Sequence, residues 1–265
     1  MGKPLVAITG ASGFIGVHLV EKLNLLGIDY ILLTKENGYD ILDKESMSNA
    51  PKFDILIHLA ALNFVPNSYK GSSNFYHTNV SGTINCLELC KKYNAKVLFP
   101  SSYIYGQPQY LPIDEKHPTA LWNPYATSKL IGEQLCTAYG NEFGFPVVIF
   151  RLFNIYGYGQ NADFVIPKII SGIANNDLSL ENTDTKRDFV YIDDAIDAII
   201  CGVQLDNQKT TTINIGSGVS YSIGEIVEIV NKKLGVKVVP DVKNIRRKNE
   251  VKDVIADISK AHQEI

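Results

Sequence analysis

"PLVAITGASGFIG" (residues 4–16) runs an apolar stretch into a glycine-rich turn, and the reading of this stretch decides the fold. PLVAI (4–8) is continuous and apolar, the pattern of a strand covered on both faces. Beyond Thr9 come Gly10, Gly13 and Gly16, spaced G-x-x-G-x-x-G, leading into the helical period of FIGVHLVEKLNLLG (14–27). Glycines in that place let the backbone turn sharply and approach a pyrophosphate. The helix that follows aims its N-terminal N–H groups at the anion. A plain strand-to-helix turn would also accept them; their position after a strand and before a helix is what favours a dinucleotide site.

The same rhythm continues outward. YILLT (30–34), DILIH (54–58), KVLFP (96–100) and VVIFR (147–151) are further buried-strand patterns. Between them, FYHTNVSGTINCLELCKKY (75–93) and YATSKLIGEQLCTAYGNEFG (125–144) have helical period and close near Gly or Asn. Strand and helix in alternation predict an α/β fold with a Rossmann-type, doubly wound parallel sheet. After residue 151 the pattern loosens. NIYGYGQNADF (154–164) reads as loop, VIPKIISGIANN (165–176) as helix, and FVYIDDAIDAIICGVQ (189–204) as strand turning into helix. TTINIG (211–216) and KVVPDV (237–242) read as short strands around the helix SIGEIVEIVNKKLG (222–235). The expected division is a dinucleotide-binding domain of residues 1–153 with about 187–216, and a smaller C-terminal lobe of 154–186 and 217–265.

At 265 residues the chain suits one domain with such a lobe, and 45% hydrophobic with 20% charged residues is an ordinary globular balance. A formal net charge of −3 gives no reason to expect nucleic acid or an anionic membrane as partner. The basic run KNIRRKNEVK (243–252) reads as a solvated loop. Cys86, Cys90, Cys136 and Cys201 form no CxxC pair, so buried free thiols in a reducing cytoplasm are expected. The N-terminus has no signal-peptide pattern, and no apolar run approaches membrane-spanning length. His18, His77, His117 and His262 have no metal-ligand spacing, and no metal is expected.

Chemistry enters with NPYATSKLIGEQL (123–135), where Tyr125 and Lys129 stand at i, i+4 on one helical face. The pair is either packed helix surface or a proton donor tuned by a cation. The other motifs decide between these. TGASGFIG (9–16), HLAA (58–61), SSYIYG (101–106), YATSK (125–129), RLFNIYG (151–157) and RDFVYIDD (187–194) stand in that order. Together they resemble the extended short-chain dehydrogenase/reductases, the nucleotide-sugar epimerase, dehydratase and reductase group, over about residues 5–257.

That resemblance implies Tyr125 as proton donor or acceptor, Lys129 lowering its pKa and holding the nicotinamide ribose, and Ser101 hydrogen-bonding the reacting sugar oxygen. Cofactor contacts are implied for Gly10, Ser12, Gly13, Phe14, Ile15, Gly16, Leu59, Ala60 and Ala61, and for the pair Asp40–Ile41 at the adenine. NAD-binding relatives carry an acidic residue at the end of the second strand. Here Thr34 and Lys35 stand there, which leans towards NADP(H), with NAD(H) the alternative if Lys35 is merely solvated. The short interval to Asp40 predicts a shortened or missing second crossover helix. His58 and Asn79 read as structural residues near the site.

For the nucleotide sugar, the resemblance implies contacts from Ser102, Tyr103, Asn154, Phe164 and Val165. Arg187 and Arg247 would grip the diphosphate, with Arg246 an alternative to Arg247. Related 4,6-dehydratases carry Asp-Glu where this chain has Ser102–Tyr103, which disfavours dehydration. The expected function is therefore NADPH-dependent reduction of a 4-keto, 6-deoxy nucleotide sugar in surface polysaccharide synthesis. An NAD-retaining C4-epimerase is the alternative, and a non-catalytic nucleotide sensor a remote one. A homodimer through the helices at about 75–93 and 125–143 is also implied. Relatives continue for some tens of residues beyond segments like ADISKA (256–261), so a trimmed substrate lobe is expected.

Overall fold

The computed structural model describes residues 3–245 and 250–265. Six strands form the main sheet: β1 (Val6–Thr9), β2 (Tyr30–Leu33), β3 (Ile55–His58), β4 (Lys96–Ser102), β5 (Val147–Leu152) and a late strand, Thr211–Ile215. Their order is β2-β1-β3-β4-β5 and then the late strand, with every pairing parallel. All residues of β1, β3 and β5 are buried, as their unbroken apolar runs require.

The chain winds outward from β1 to β2, then returns to place β3 on the other side of β1. This reversal opens a crevice at the carboxyl ends of the strands, where such sheets bind ligands. Helices α1 (Phe14–Leu26), α2 (Lys44–Ser48), α3 (Val65–Lys70), α4 (Ser72–Tyr76), α5 (Gly82–Tyr93) and α6 (Pro124–Phe143) connect the strands. The second crossover is reduced to a single 3-10 turn (Lys35–Asn37) and the five-residue α2, as expected. The predicted helix at 75–93 is continuous but contains a π turn over His77–Ser81. Such one-turn insertions often mark functional positions.

Helix α6 is fixed at both ends. Asn123 caps it by accepting from the Ala126 N–H at 2.8 Å, Pro124 stands in the first turn, and Gly144 closes it in the left-handed region (φ 79°).

The rest of the chain comprises β6 (Asn154–Tyr156), α7 (Val165–Ala174), β7 (Ser179–Leu180), β8 (Lys186–Tyr191), α8 (Ile192–Gln204), the late main-sheet strand as β9, β10 (Ser220–Ser222), α9 (Ile223–Leu234), β11 (Asp241–Val242) and α10 (Ser259–Glu264). Strands β10, β8 and β6 form a small sheet, and β11 pairs with β7. Two sequence expectations change here. The stretch 154–164 is not all loop, because Asn154–Tyr156 pairs with β8. The predicted strand at 237–242 shrinks to Asp241–Val242, since Pro240 has no N–H and the Asn231 side chain takes both N–H and C=O of Val238. A separate apolar core lies among Ile169, Ile173, Leu178, Leu180, Ile223 and Val227. Among the described residues no helix is long and apolar enough to cross a membrane.

Candidate active site

A cleft of about 920 Å³ lies over the carboxyl ends of the sheet. Its walls include every cofactor residue expected from the sequence, from Gly10 through Lys129, together with Ser101, Ser102, Tyr103, Asn154, Phe164 and Val165.

The turn admits only glycine at two of its positions, because the backbone packs against itself there. Gly10 has φ +69°, and a Cβ there would stand 2.5 Å from the Ala60 backbone nitrogen. A Cβ on Gly16 would stand 2.4 Å from the Gly10 carbonyl oxygen. Helix α1, capped by Gly13, has neither a side-chain cap nor a first-turn carboxylate, which leaves its leading N–H groups free for an anion.

At the far end of the cleft, Lys35 Nζ pairs with Asp40 Oδ2 at 2.9 Å, and the Leu42 N–H donates to Asp40 Oδ1 at 3.0 Å. That N–H first, and Lys35 second, hold the Asp40 carboxyl below its ordinary range. Glu36, which sequence reading passed over, also lines the cleft, and its carboxyl is held down by its own backbone N–H and then by the Thr34 hydroxyl.

Beneath the cofactor wall lies a chain of hydrogen bonds whose direction its donors dictate. The Thr83 hydroxyl donates to the Asn79 carbonyl (2.6 Å), so it can only accept from His58 Nε2 (3.0 Å). His58 Nδ1 is then an acceptor, taking the Thr9 hydroxyl at 2.7 Å, while Thr9 Oγ1 accepts from the Ala60 N–H at 3.3 Å. Burial pushes His58 down to about 3, with the Lys129 charge adding to the shift, so the imidazole is neutral and structural. Above it, Asn79, delivered by the π turn, brackets Leu62: it accepts from the Leu62 N–H (2.8 Å) and donates to the Leu62 carbonyl (3.0 Å). The same amide donates to Ser128 Oγ (2.9 Å), whose hydroxyl donates to the Tyr125 carbonyl (2.7 Å). The Leu62 loop and α6 are thereby locked to one another.

Tyr125 and Lys129 face this cleft from α6, but their electrostatics differ from the expectation. Burial drives the Tyr125 phenol up to about 12, offset in part by a hydrogen bond with Ser102. Burial also pushes Lys129 down to about 8, against the raising influence of neighbours that include Glu133, and its ammonium sits 4.1 Å from the Phe99 ring centroid. Desolvation therefore outweighs the lowering hydrogen bond from Ser102. The tyrosine rests as a neutral acid, the form that can give a proton to a carbonyl oxygen.

The buried charge on Lys129 also has a stability consequence. Lys129→Met should stabilise the coenzyme-free protein by on the order of 2 kcal/mol at neutral pH. A lysine with a depressed folded-state pKa costs stability below that pKa. The cost fades as pH rises from about 8 towards the unfolded value of 10.5, so the advantage of the variant should fade with it. Thermal melts across that range check this; equal melting points at neutral pH would refute it.

Ser101 is buried, and its Oγ has no hydrogen-bond partner among the described residues, as suits a group reserved for a ligand. Tyr103 stacks on Phe153 at 5.8 Å, and Phe164 meets Phe64 edge-on at 5.8 Å, closing the cleft from two sides. The Asn154 side chain donates to the Asp188 carbonyl at 3.0 Å. Arg187 is not brought into the cleft wall: its guanidinium donates to the carbonyls of Lys186 (2.7 Å) and Val251 (2.8 Å), which binds the C-terminal segment to β8. Arg246 and Arg247 lie outside the described residues. Sequence reading missed Asn123 and Gln160 on the cleft wall; for Asn123 the signal was its place just before Pro at a helix start.

A family model described as the NAD dependent epimerase/dehydratase family matches residues 6–216. The chain is 32% identical over 259 residues to a GDP-6-deoxy-D-mannose reductase of Pseudomonas aeruginosa, covering 91% of this chain and 84% of that one. It is 30% identical over 295 residues to a UDP-glucose 4-epimerase of Lactobacillus helveticus, covering 97% and 89%. Among solved structures, RMD from Pseudomonas aeruginosa complexed with NADPH superposes with a TM-score of 0.91 at 30% identity, covering 98% of this chain and 92% of that one. UDP-glucose 4-epimerase from Thermotoga maritima with UDP-glucose gives 0.89 at 25% identity, covering 98% and 91%. With its glycine turn, its Tyr-x-x-x-Lys helix and its parallel sheet around one cleft, the chain belongs to the NAD dependent epimerase/dehydratase family and is an enzyme of that NAD(P)-dependent class.

Proposed function

We propose that this enzyme reduces a 4-keto, 6-deoxy nucleotide-diphosphate sugar with NADPH. The observation that carries the reading is the meeting of Tyr125, Lys129 and the unpartnered Ser101 hydroxyl in the cleft that the glycine turn also lines. Bound nicotinamide would supply the hydride. Tyr125, held neutral by burial, protonates the carbonyl oxygen, and Ser101 orients that oxygen. Ser102 and Tyr103 offer no carboxylate for dehydration, and a relative named as a 6-deoxy sugar reductase supports the choice. Residues 154–186 and 217–265 would form the nucleotide-sugar lobe, and the helices at about 75–93 and 125–143 a homodimer seam.

For the coenzyme, Thr34 and Lys35 favour a 2′-phosphate. The Lys35–Asp40 pair would have to open or share its ammonium, which is feasible for an exposed pair. Glu36 favours the second reading, an epimerase that retains NAD, because its carboxylate could accept from ribose hydroxyls and would repel a phosphate.

Denaturing freshly purified protein, identifying any released dinucleotide and titrating the remainder decides between them. NADPH should bind at least ~10-fold tighter than NADH, the worth of one charge-assisted hydrogen bond. Stoichiometric, tightly held NAD would replace reduction by epimerisation.

A further inference from the structure

Asn123 holds two positions at once. It is 5% exposed and lines the cleft two residues before Tyr125. Its Oδ1 must be the atom facing the helix, because the Ala126 N–H, 2.8 Å away, can only donate. That assignment turns Nδ2 away from the cap, and Nδ2 is buried with no hydrogen-bond partner among the described residues. A buried donor without a partner is costly, and native sites keep few of them.

Two other buried polar atoms on the same wall share this condition, Ser101 Oγ and Gln160 Oε1. Gln160 spends its Nε2 on the Ile155 carbonyl at 2.8 Å, which leaves Oε1 as a pure acceptor. The cleft therefore offers a donor, a hydroxyl that can do either, and an acceptor. A carboxylate or phosphate could not donate to Gln160, and an apolar ligand could satisfy none of the three. A polyhydroxylated ring, whose hydroxyls both give and accept, satisfies all of them.

We propose that Asn123 is a substrate-binding residue: its side-chain carbonyl caps the catalytic helix while its amide N–H donates to an oxygen of the sugar ring. This rests on the nucleotide-sugar reading given above. The arrangement couples recognition to geometry, since the side chain that feels the sugar also fixes the first turn that carries Tyr125. Asn123 directly follows Trp122, whose ring lies 6.2 Å from that of Tyr103 on the same cleft wall, and this favours the sugar over the nicotinamide carboxamide as the donor's partner.

The test compares Asn123→Ser and Asn123→Ala with the wild type, using GDP-mannose and UDP-glucose as binding probes in the presence of NADP+. Serine keeps a capping oxygen but removes the amide, whereas alanine removes both. Asn123→Ser should melt near the wild type and bind NADPH as well, yet lose about 10-fold or more in affinity for whichever probe the wild type binds. Asn123→Ala should show the same loss together with a lower melting temperature. Unchanged probe affinity in Asn123→Ser overturns the proposal and leaves the nucleotide-sugar reading intact. A loss of NADPH affinity with probe affinity retained also overturns it, by assigning the donor to the coenzyme. Wild-type protein that binds neither probe removes the nucleotide-sugar reading itself, and this inference falls with it.

Discussion

Tyr125→Phe is expected to lower kcat by about 10²- to 10⁴-fold, the usual contribution of a positioned acid, with coenzyme affinity nearly unchanged. The phenol is the acidic group that α6 carries into the cleft beside Ser101 and Ser102, and burial keeps it protonated. Removing one oxygen leaves the ring to fill the same space, so a folding defect cannot account for the loss. Single-turnover reduction by bound NADPH, followed at the nicotinamide absorbance, separates hydride transfer from product release. Full activity in the variant would move the proton donor elsewhere and dissolve the catalytic assignment.

Arg151→Met is expected to destabilise the fold by about 3–5 kcal/mol, the cost of stranding a buried charge. Arg151 and Glu133 are 8% and 4% exposed. The guanidinium grips the carboxylate from two nitrogens, Nε to both oxygens at 3.2 Å and Nη2 to Oε2 at 2.8 Å. Its Nη1 donates to the Tyr105 hydroxyl at 3.0 Å, and that hydroxyl donates to Asn214 Oδ1 on β9. Because Arg151 stands opposite Ser101 in the parallel register, and Glu133 one turn beyond Lys129, the pair pins the catalytic helix to the sheet at the level of the chemistry. Removing both partners in Glu133→Leu/Arg151→Met should recover most of the loss, since neither partner's charge is then left stranded. Urea unfolding of the two singles and the double measures the coupling. Additive singles would show that the pair acts as two separate groups.

What the sequence made legible is local. The glycine turn, the strand runs and the Tyr125–Lys129 spacing each lie within a few residues, and backbone periodicity alone carries them to the cleft. The same locality foretold the reduced second crossover, because few residues separate Thr34 from Asp40. Features that need two distant segments stayed hidden. Nothing in the sequence marks Glu133 and Arg151 as partners; only the helix and the strand that carry them bring them together. Arg187 carries a motif suited to diphosphate, yet its partners are backbone carbonyls, one of them 64 residues away. For Tyr125 the spacing sets a lysine one turn away, but only the fold shows the burial that pushes the phenol up and the ammonium down.

The one-way hydrogen-bond chain beneath the cofactor wall has a consequence for proton traffic. From the Ala60 amide through Thr9, His58 and Thr83 to the Asn79 carbonyl, each hydroxyl and the imidazole have one proton to give and one to receive. Reversing the chain would require the terminal carbonyl to donate, which it cannot. With His58 held neutral down to about pH 3, the floor of the cleft behaves as an insulator throughout the physiological range. In the proposed reaction the proton therefore comes from Tyr125 on α6 and is not relayed along this chain.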